Sequence, residues 1–341
     1  MPLFSYPEKS SIIVITKGDF IMKKLNILPL LLVAPLLTGC GGSVKAPKFA
    51  DKGEEVAGDK FAADFLEKSS QAAFAKEDAI GSLVMKSKSA NSQEEKLVRE
   101  KKAIKTTTEY SESSSEMKYD ATNKLVQGLS KGSSKGTQTD INAKASGSSS
   151  TSVHVYIQEY TKGENKYVVM AEKESNMLQA VSPVTELSPV DKIFDGYIKE
   201  GIGEQGAYVV AAVAAYAAAD EEEQKNYKFY EKDKVFTVEY KQVVENKEHK
   251  NSDDQVDYVV SSTTSYTAQL DLTDGAWRQK YYKEVSTKTE YKLDGTYSGE
   301  YQFAGDVFEE KTLKSEDVKA DYKDIKLKAA DLSGYKNDFL A

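Results

Sequence analysis

Along most of the chain the apolar residues recur at every second position. LVMKSKS, KAIKTTTEYS, EMKYD and KLVQG, all between Ser82 and Gly128, alternate in this way, and SVHVYIQEY and KYVVMAEK follow as a hairpin around Lys162-Gly163-Glu164-Asn165. Further on, Phe236, Val238 and Tyr240 share one parity, as do Val256, Tyr258, Val260, Tyr266, Ala268, Leu270 and Leu272. Thr273-Asp274-Gly275 then reverses the chain, and Trp277, Tyr281, Val285, Tyr291 and Leu293 share the parity of the returning strand before Asp294-Gly295 turns it again. No proline follows Pro189 to interrupt these ladders. Long antiparallel strands joined by tight turns are expected. The Ser/Gly/Lys-rich interval at residues 128–152 fits either an exposed loop or a pair of twisted edge strands.

Two stretches change to the helical period. Phe61, Phe65 and Leu66 lie at helical spacing behind a candidate cap, Asp59, which predicts an amphipathic helix over 60–76. Ser188-Pro189 opens a second helical region in which Ile193, Phe194, Tyr197 and Ile198 form a stripe. After glycines at 201, 203 and 206 comes AYVVAAVAAYAAA, which is uncharged and ends at Asp220-Glu221-Glu222-Glu223. It is too short to cross a bilayer and too apolar to face water, so it is expected inside the protein. The fold class is therefore α+β: an antiparallel, strongly curved sheet, an unclosed β-barrel, covered or plugged by a few helices. Residues 59–330 are expected to form one such domain, strand-rich over 81–182, helical over 189–223 and strand-rich again over 227–310, with a tail at 331–341.

The front of the chain follows a different logic. Met22-Lys23-Lys24 precedes LNILPLLLVAPLLTG, an uncharged run that ends at Cys40, the single cysteine. A short charged region, an apolar region below the ~20 residues of a spanning helix and a small-residue end make up a secretory signal. Its ending, Leu37-Thr38-Gly39-Cys40, resembles the lipobox of bacterial lipoproteins. That resemblance implies cleavage before Cys40, acylation of its sulfur, and a lipid-anchored chain on the extracytoplasmic face of a cell membrane or outer membrane. Residues 1–21 then read as an extension ahead of the true start, 22–39 as the signal, and 40–58 as a flexible tether.

Charge and candidate chemistry narrow the function further. Removing residues 1–39 takes away four lysines and two acidic residues, leaving 42 basic and 52 acidic residues and a net charge of −10. Only Arg99 and Arg278 are arginine, so the guanidinium fork that reads phosphates and bases is nearly absent and nucleic acid is not an expected partner. One cysteine permits no internal disulfide. Gly201-Ile202-Gly203-Glu204-Gln205-Gly206 matches GxGxxG, but a helix rather than a parallel strand precedes it, so it reads as a helix-to-helix turn. His154 and His249 lack companions at metal-ligand spacing, His154 within a strand and His249 in the charged turn ENKEHKNSDD, and there is no GxSxG elbow or DxDxDG loop. The chain is expected to be non-enzymatic, without cofactor or metal.

The order of lipobox, spacer, helix, strands, apolar helical segment and long strands over residues 59–330 resembles the LolA and LppX-like lipoprotein carriers. That resemblance implies a lipid or other amphiphilic ligand held between sheet and helix. Val209, Val213 and Tyr216 would face Phe236, Val238, Tyr266, Trp277 and Tyr281 across the groove. The alternative is a structural or interaction lipoprotein of the envelope with a filled core. An apolar cavity beside residues 207–219 would favour the carrier, and a solid core its alternative.

Overall fold

The computed structural model describes residues 44–70, 82–122, 124–162, 165–172, 177–183, 190–191, 194, 206–293 and 297–315. In chain order they form β1 (Glu54–Val56), α1 (Gly58–Ser70), β2 (Ser82–Arg99), β3 (Lys102–Asp120), β4 (Leu125–Asp140), β5 (Lys144–Lys162), β6 (Asn165–Glu172) and β7 (Met177–Pro183). There follow α2 (Ala207–Ala218), α3 (Glu221–Gln224), β8 (Tyr227–Lys232), β9 (Val235–Lys250), β10 (Val256–Asp271), β11 (Ala276–Leu293) and β12 (Tyr297–Ser315). Cys40, Gly201 to Gln205, the predicted end of the first helix and everything beyond Ser315 lie outside the described residues.

All twelve strands belong to one sheet, in the order β1-β8-β9-β10-β11-β12-β2-β3-β4-β5-β6-β7. Every neighbouring pair is antiparallel, and β1 and β7 are its edges. Two meanders are thus joined side to side, the last described strand, β12, pairing with β2 from Glu300 opposite Val98 to Ser315 opposite Leu83.

The Ser/Gly-rich interval is not a loop, and its β5 half, residues 144–154, pairs with β4 alone among the described residues and so forms a free edge. It forms most of β4 and β5, paired from Leu125 opposite Gln158 to Thr139 opposite Lys144, and β5 pairs onward with β6. Serines link strands by cross-strand hydrogen bonds here, Ser134 with Ser149, and likewise between β2 and β3, Ser87 with Ser115 and Ser89 with Ser113, each 2.7 Å. Their short hydroxyls replace apolar contacts as the link between strands.

The turns follow local chemistry that a scan for glycine partly misses. Between β2 and β3, Glu100 and Lys101 have φ of 50° and 62°, as a two-residue primed turn requires. Between β4 and β5, the Asp140 carboxylate accepts from the backbone N–H of Asn142 (2.8 Å) and Ala143 (2.7 Å). His249 lies in β9, not in a turn, and its ring stacks on Tyr258 at 4.5 Å. The reversal is the five residues after it, where Asn251 Oδ1 accepts from Asp253 and Gln255.

Residues directly opposite in an antiparallel ladder project to the same side, so the register sorts the sheet into two faces. Phe229, Val238, Ala268 and Tyr281 form one row, and Phe236, Leu270 and Gln279 the next, on the face that bears the helices. Leu83, Tyr119, Val126 and Ile157 carry that face across the second meander, where Phe194 stacks on Tyr119 at 4.3 Å. Apart from the half-buried Tyr281 and Phe194 these apolar side chains are buried, and they cluster at one end of the sheet. Towards the hairpins at 99–102, 140–144 and 250–256 Ser, Thr, Lys and Glu predominate on both faces, with partly exposed Leu97, Val243, Val256 and Tyr258 among them. The sheet has an apolar base and polar ends.

Candidate functional site

At the base, helix α1 presents Phe61 and Phe65 to the sheet because they are one helical turn apart. Phe61 packs edge-on to Phe236 at 5.8 Å and tilts against Phe229 at 5.0 Å, while Phe65 meets Phe236 edge-on at 5.2 Å. Helix α2 lies beside α1, with Val209 and Ala212 buried against β9 and β10. Two glycines allow this approach. At Gly58 a Cβ would fall 2.6 Å from the Tyr216 ring, and at Gly206, with φ of 70°, it would fall 2.8 Å from Leu270 Cδ2 and 3.1 Å from Phe65 Cζ.

Tyrosines from four strands and both ends of α2 then form a continuous ladder. Tyr216 contacts Tyr227 at 5.8 Å, Tyr227 meets Tyr240 at 4.7 Å, and Tyr240 stacks on Tyr266 at 5.0 Å. Tyr266 reaches Tyr281 at 5.8 Å, and Tyr281 stacks on Tyr208 at 4.3 Å. The Tyr208 hydroxyl donates to Glu309 Oε2, and Lys311 pairs with Glu309 Oε1 at 3.1 Å. Burial pushes the Tyr266 hydroxyl well above the usual phenol range and raises that of Tyr281. Tyr266 and Tyr281 are therefore neutral at physiological pH, and the ladder joins helix to sheet by ring contacts.

All eight residues expected to line a groove belong to the helix-bearing face or to α2. Phe236, Val238, Val209 and Trp277 are buried, while Val213, Tyr216, Tyr266 and Tyr281 are half-buried. The structure brings Val209, Tyr216, Phe236, Val238, Tyr266 and Tyr281 together around α2 and the ladder, but as partners of one another. Among the described residues, rings and helix contacts occupy the space between α2 and the sheet. The expectation that the alanine segment sits inside the protein is corrected as well: α2 buries one narrow side and exposes the other, with Val210 46% exposed. Alanine makes this arrangement tolerable, because every exposed residue of α2 except Val210 offers only one methyl to water. Trp277 Nε1 and Gln279 Oε1, on the same face, are buried without a hydrogen-bond partner among the described residues.

The segment expected as a flexible tether is held on the opposite face. Ala50 exchanges two hydrogen bonds with the Gln269 side chain (2.8 and 3.0 Å), and Gln269 Nε2 also donates to Thr237 Oγ1 at 2.9 Å. Lys280 Nζ donates to the Lys48 carbonyl at 2.5 Å, and Lys52 pairs with Glu239 at 2.7 Å and lies over the Tyr230 ring at 3.8 Å. Residues 44–53 thus cross the back of β11, β10, β9 and β8 as a strap, and the chain then rounds the sheet edge as β1. Composition hid this because the strap docks largely through backbone atoms and long polar side chains. Where it begins, Val44 and Lys45 roof a cleft of about 610 Å³ whose floor is Lys88, Ala90, Tyr110, Glu112, Ser114, Lys131, Ser133 and Phe308.

No family model matches the chain, and no curated protein matches it. Among solved structures, the transport unit of the autotransporter AIDA-I from Escherichia coli superimposes with a TM-score of 0.17 and 6% identity, over 76% of this chain and 98% of that one. The translocator domain of autotransporter NalP from Neisseria meningitidis gives 0.13 and 11% over 73% and 96%, and OccK5 (OpdH) from Pseudomonas aeruginosa 0.14 and 6% over 67% and 98%. Similarity at these scores establishes neither a shared fold nor a shared activity.

Proposed function

We propose that the chain is a membrane-anchored extracytoplasmic lipoprotein, acylated on Cys40, that works as a non-enzymatic structural or interaction protein of the cell envelope. Its core is filled rather than hollow, and its polar strand ends form the contact surface. The observation that carries this reading is the packing of α1, α2 and the tyrosine ladder onto one another at the base, where a carrier would keep a groove. From that base β2 to β5 run roughly ten further residues, about 33 Å at ~3.3 Å per residue, with mostly polar side chains on both faces, while β9, β10 and β12 also carry Val243, Val260, Phe303 and Val307 there. A strand lining a membrane barrel instead alternates apolar and polar residues, apolar towards lipid. Ser87, Ser89, Asn91, Gln93 and Glu95 on one face of β2, and Lys86, Lys88, Ser92, Glu94 and Lys96 on the other, supply no such band.

The same reading takes the sheet as an unclosed, barrel-like wall covered by helices at one end only. Twelve twisted strands in a single open sheet favour curling, and the exposed outer side of α2 leaves the helices as a partial cover.

Anchoring is tested on cells producing the full chain. Wild-type protein is expected in the membrane fraction with incorporated fatty acid, whereas Cys40→Ala is expected to lose all label and most membrane association while keeping the wild-type far-ultraviolet circular dichroism. Equal labelling of both proteins would contradict the acylation site.

A further inference from the structure

The cleft on the back of the sheet differs from the filled helix side in shape and charge. In the ladder, Lys88, Ser114 and Lys131 stand directly opposite one another on β2, β3 and β4. The lysines project to the same face about 9.5 Å apart, two strand spacings, with the serine hydroxyl between them. Both lysines and Lys45 on the strap are exposed and make no ion pair among the described residues. The next row places Phe308, Ala90, Glu112 and Ser133 side by side. Glu112, the one acidic group of the cleft lining, already accepts from Tyr110 (2.8 Å) and Ser133 (2.9 Å). Glu310, beyond Lys88 in its row, lies 4.0 Å from Lys280. Three cations against one engaged carboxylate, beside an apolar patch of Val44, Ala90, Phe308 and the Tyr110 ring, complement a molecule with an anionic head and an apolar continuation.

We infer that this cleft binds the headgroup of an anionic phospholipid, the acid group between Lys88 and Lys131 over Ser114 and the first acyl carbons against Phe308 and Val44. The source of the ligand follows from chain length. Val44 is four residues after Cys40, and an extended chain covers at most about 14 Å over that distance, so an anchor on Cys40 holds the cleft at the membrane surface. This placement rests on the acylation proposed above. The interaction would fix how the sheet stands on the membrane.

The test reconstitutes the acylated full chain into nanodiscs of phosphatidylcholine alone or with phosphatidylglycerol, and follows acetylation of each lysine by peptide mass spectrometry. Co-elution with the discs reports the anchor separately, so a failed anchor is distinguished from a failed cleft. Lys88 and Lys131 are expected to react about fivefold more slowly in the phosphatidylglycerol discs, the factor equivalent to ~1 kcal/mol of attraction per lysine near an anionic surface. Lys96 and Lys135, towards the strand ends, should be unchanged. Ser114→Glu, which places a carboxylate between the two lysines on an open strand surface, should abolish the difference between the two discs. Equal rates in both discs would overturn the inference, as would uniform protection of all lysines. So would the same protection from inorganic phosphate in phosphatidylcholine discs, since it would mark a free-anion site.

Discussion

Phe236→Ala is expected to lower the stability of the fold by about 3–5 kcal/mol, read as a fall in the urea midpoint without a change in its slope. Phe236 is fully buried, and Phe61 and Phe65 both meet its ring edge-on. Removing the ring takes away its own burial and unseats α1, whose other described aromatic contact with the sheet is Phe61 against Phe229. The cavity cannot close easily, because the strands beneath are fixed by ladders on both sides. Loss of less than ~1 kcal/mol would mean that this end of the molecule is plastic, as a ligand groove would be, and would revive the carrier reading.

Gly206→Val is expected to cost about 3 kcal/mol or more, measured the same way, and to free the start of α2. The residue precedes Ala207 with φ of 70° and ψ of 20°, a region that costs an ordinary residue roughly 1–2 kcal/mol and a β-branched one more. A Cβ would also press on Leu270 Cδ2 at 2.8 Å and on the Phe65 ring. Because α2 carries Tyr208 and Tyr216 at the two ends of the tyrosine ladder, the near-ultraviolet circular dichroism should fall in proportion to the unfolded start of the helix. An unchanged midpoint would show that the helix does not depend on this left-handed entry.

The sheet was legible where side chains alternate between a packed face and a wet one. Phe236, Val238, Ala268, Leu270 and Tyr281 declared their common face through parity alone, since burial on one side enforces a period of two. Over Ser130 to Ser152 the same backbone was illegible, because serine, glycine and lysine fit either face and strand identity there comes from pairing with β3 on one side and from the β4–β5 hairpin itself. The Glu100-Lys101 turn carried no glycine or asparagine to announce it. Strand order was also hidden: that β12 pairs with β2 depends on which edges meet, and periodicity says nothing about that. Of the candidate site, sequence identified the residues but not their relation. Aromatic side chains at the right parity line a groove or fill it, and parity alone does not distinguish the two; the edge-on contacts of Phe61 and Phe65 with Phe236 are visible only in the folded chain. The strap and its cleft could not be found from composition, because backbone groups of Lys48 and Ala50 make the docking contacts and the lysine row exists only through register.

The most direct measurement of the proposed role is the intact mass of the full chain purified from membranes. The expected species begins at Cys40 and carries fatty-acyl groups at that first residue. A membrane-bound species that retains residues 1–39, or one with an unmodified Cys40, would contradict an anchored lipoprotein.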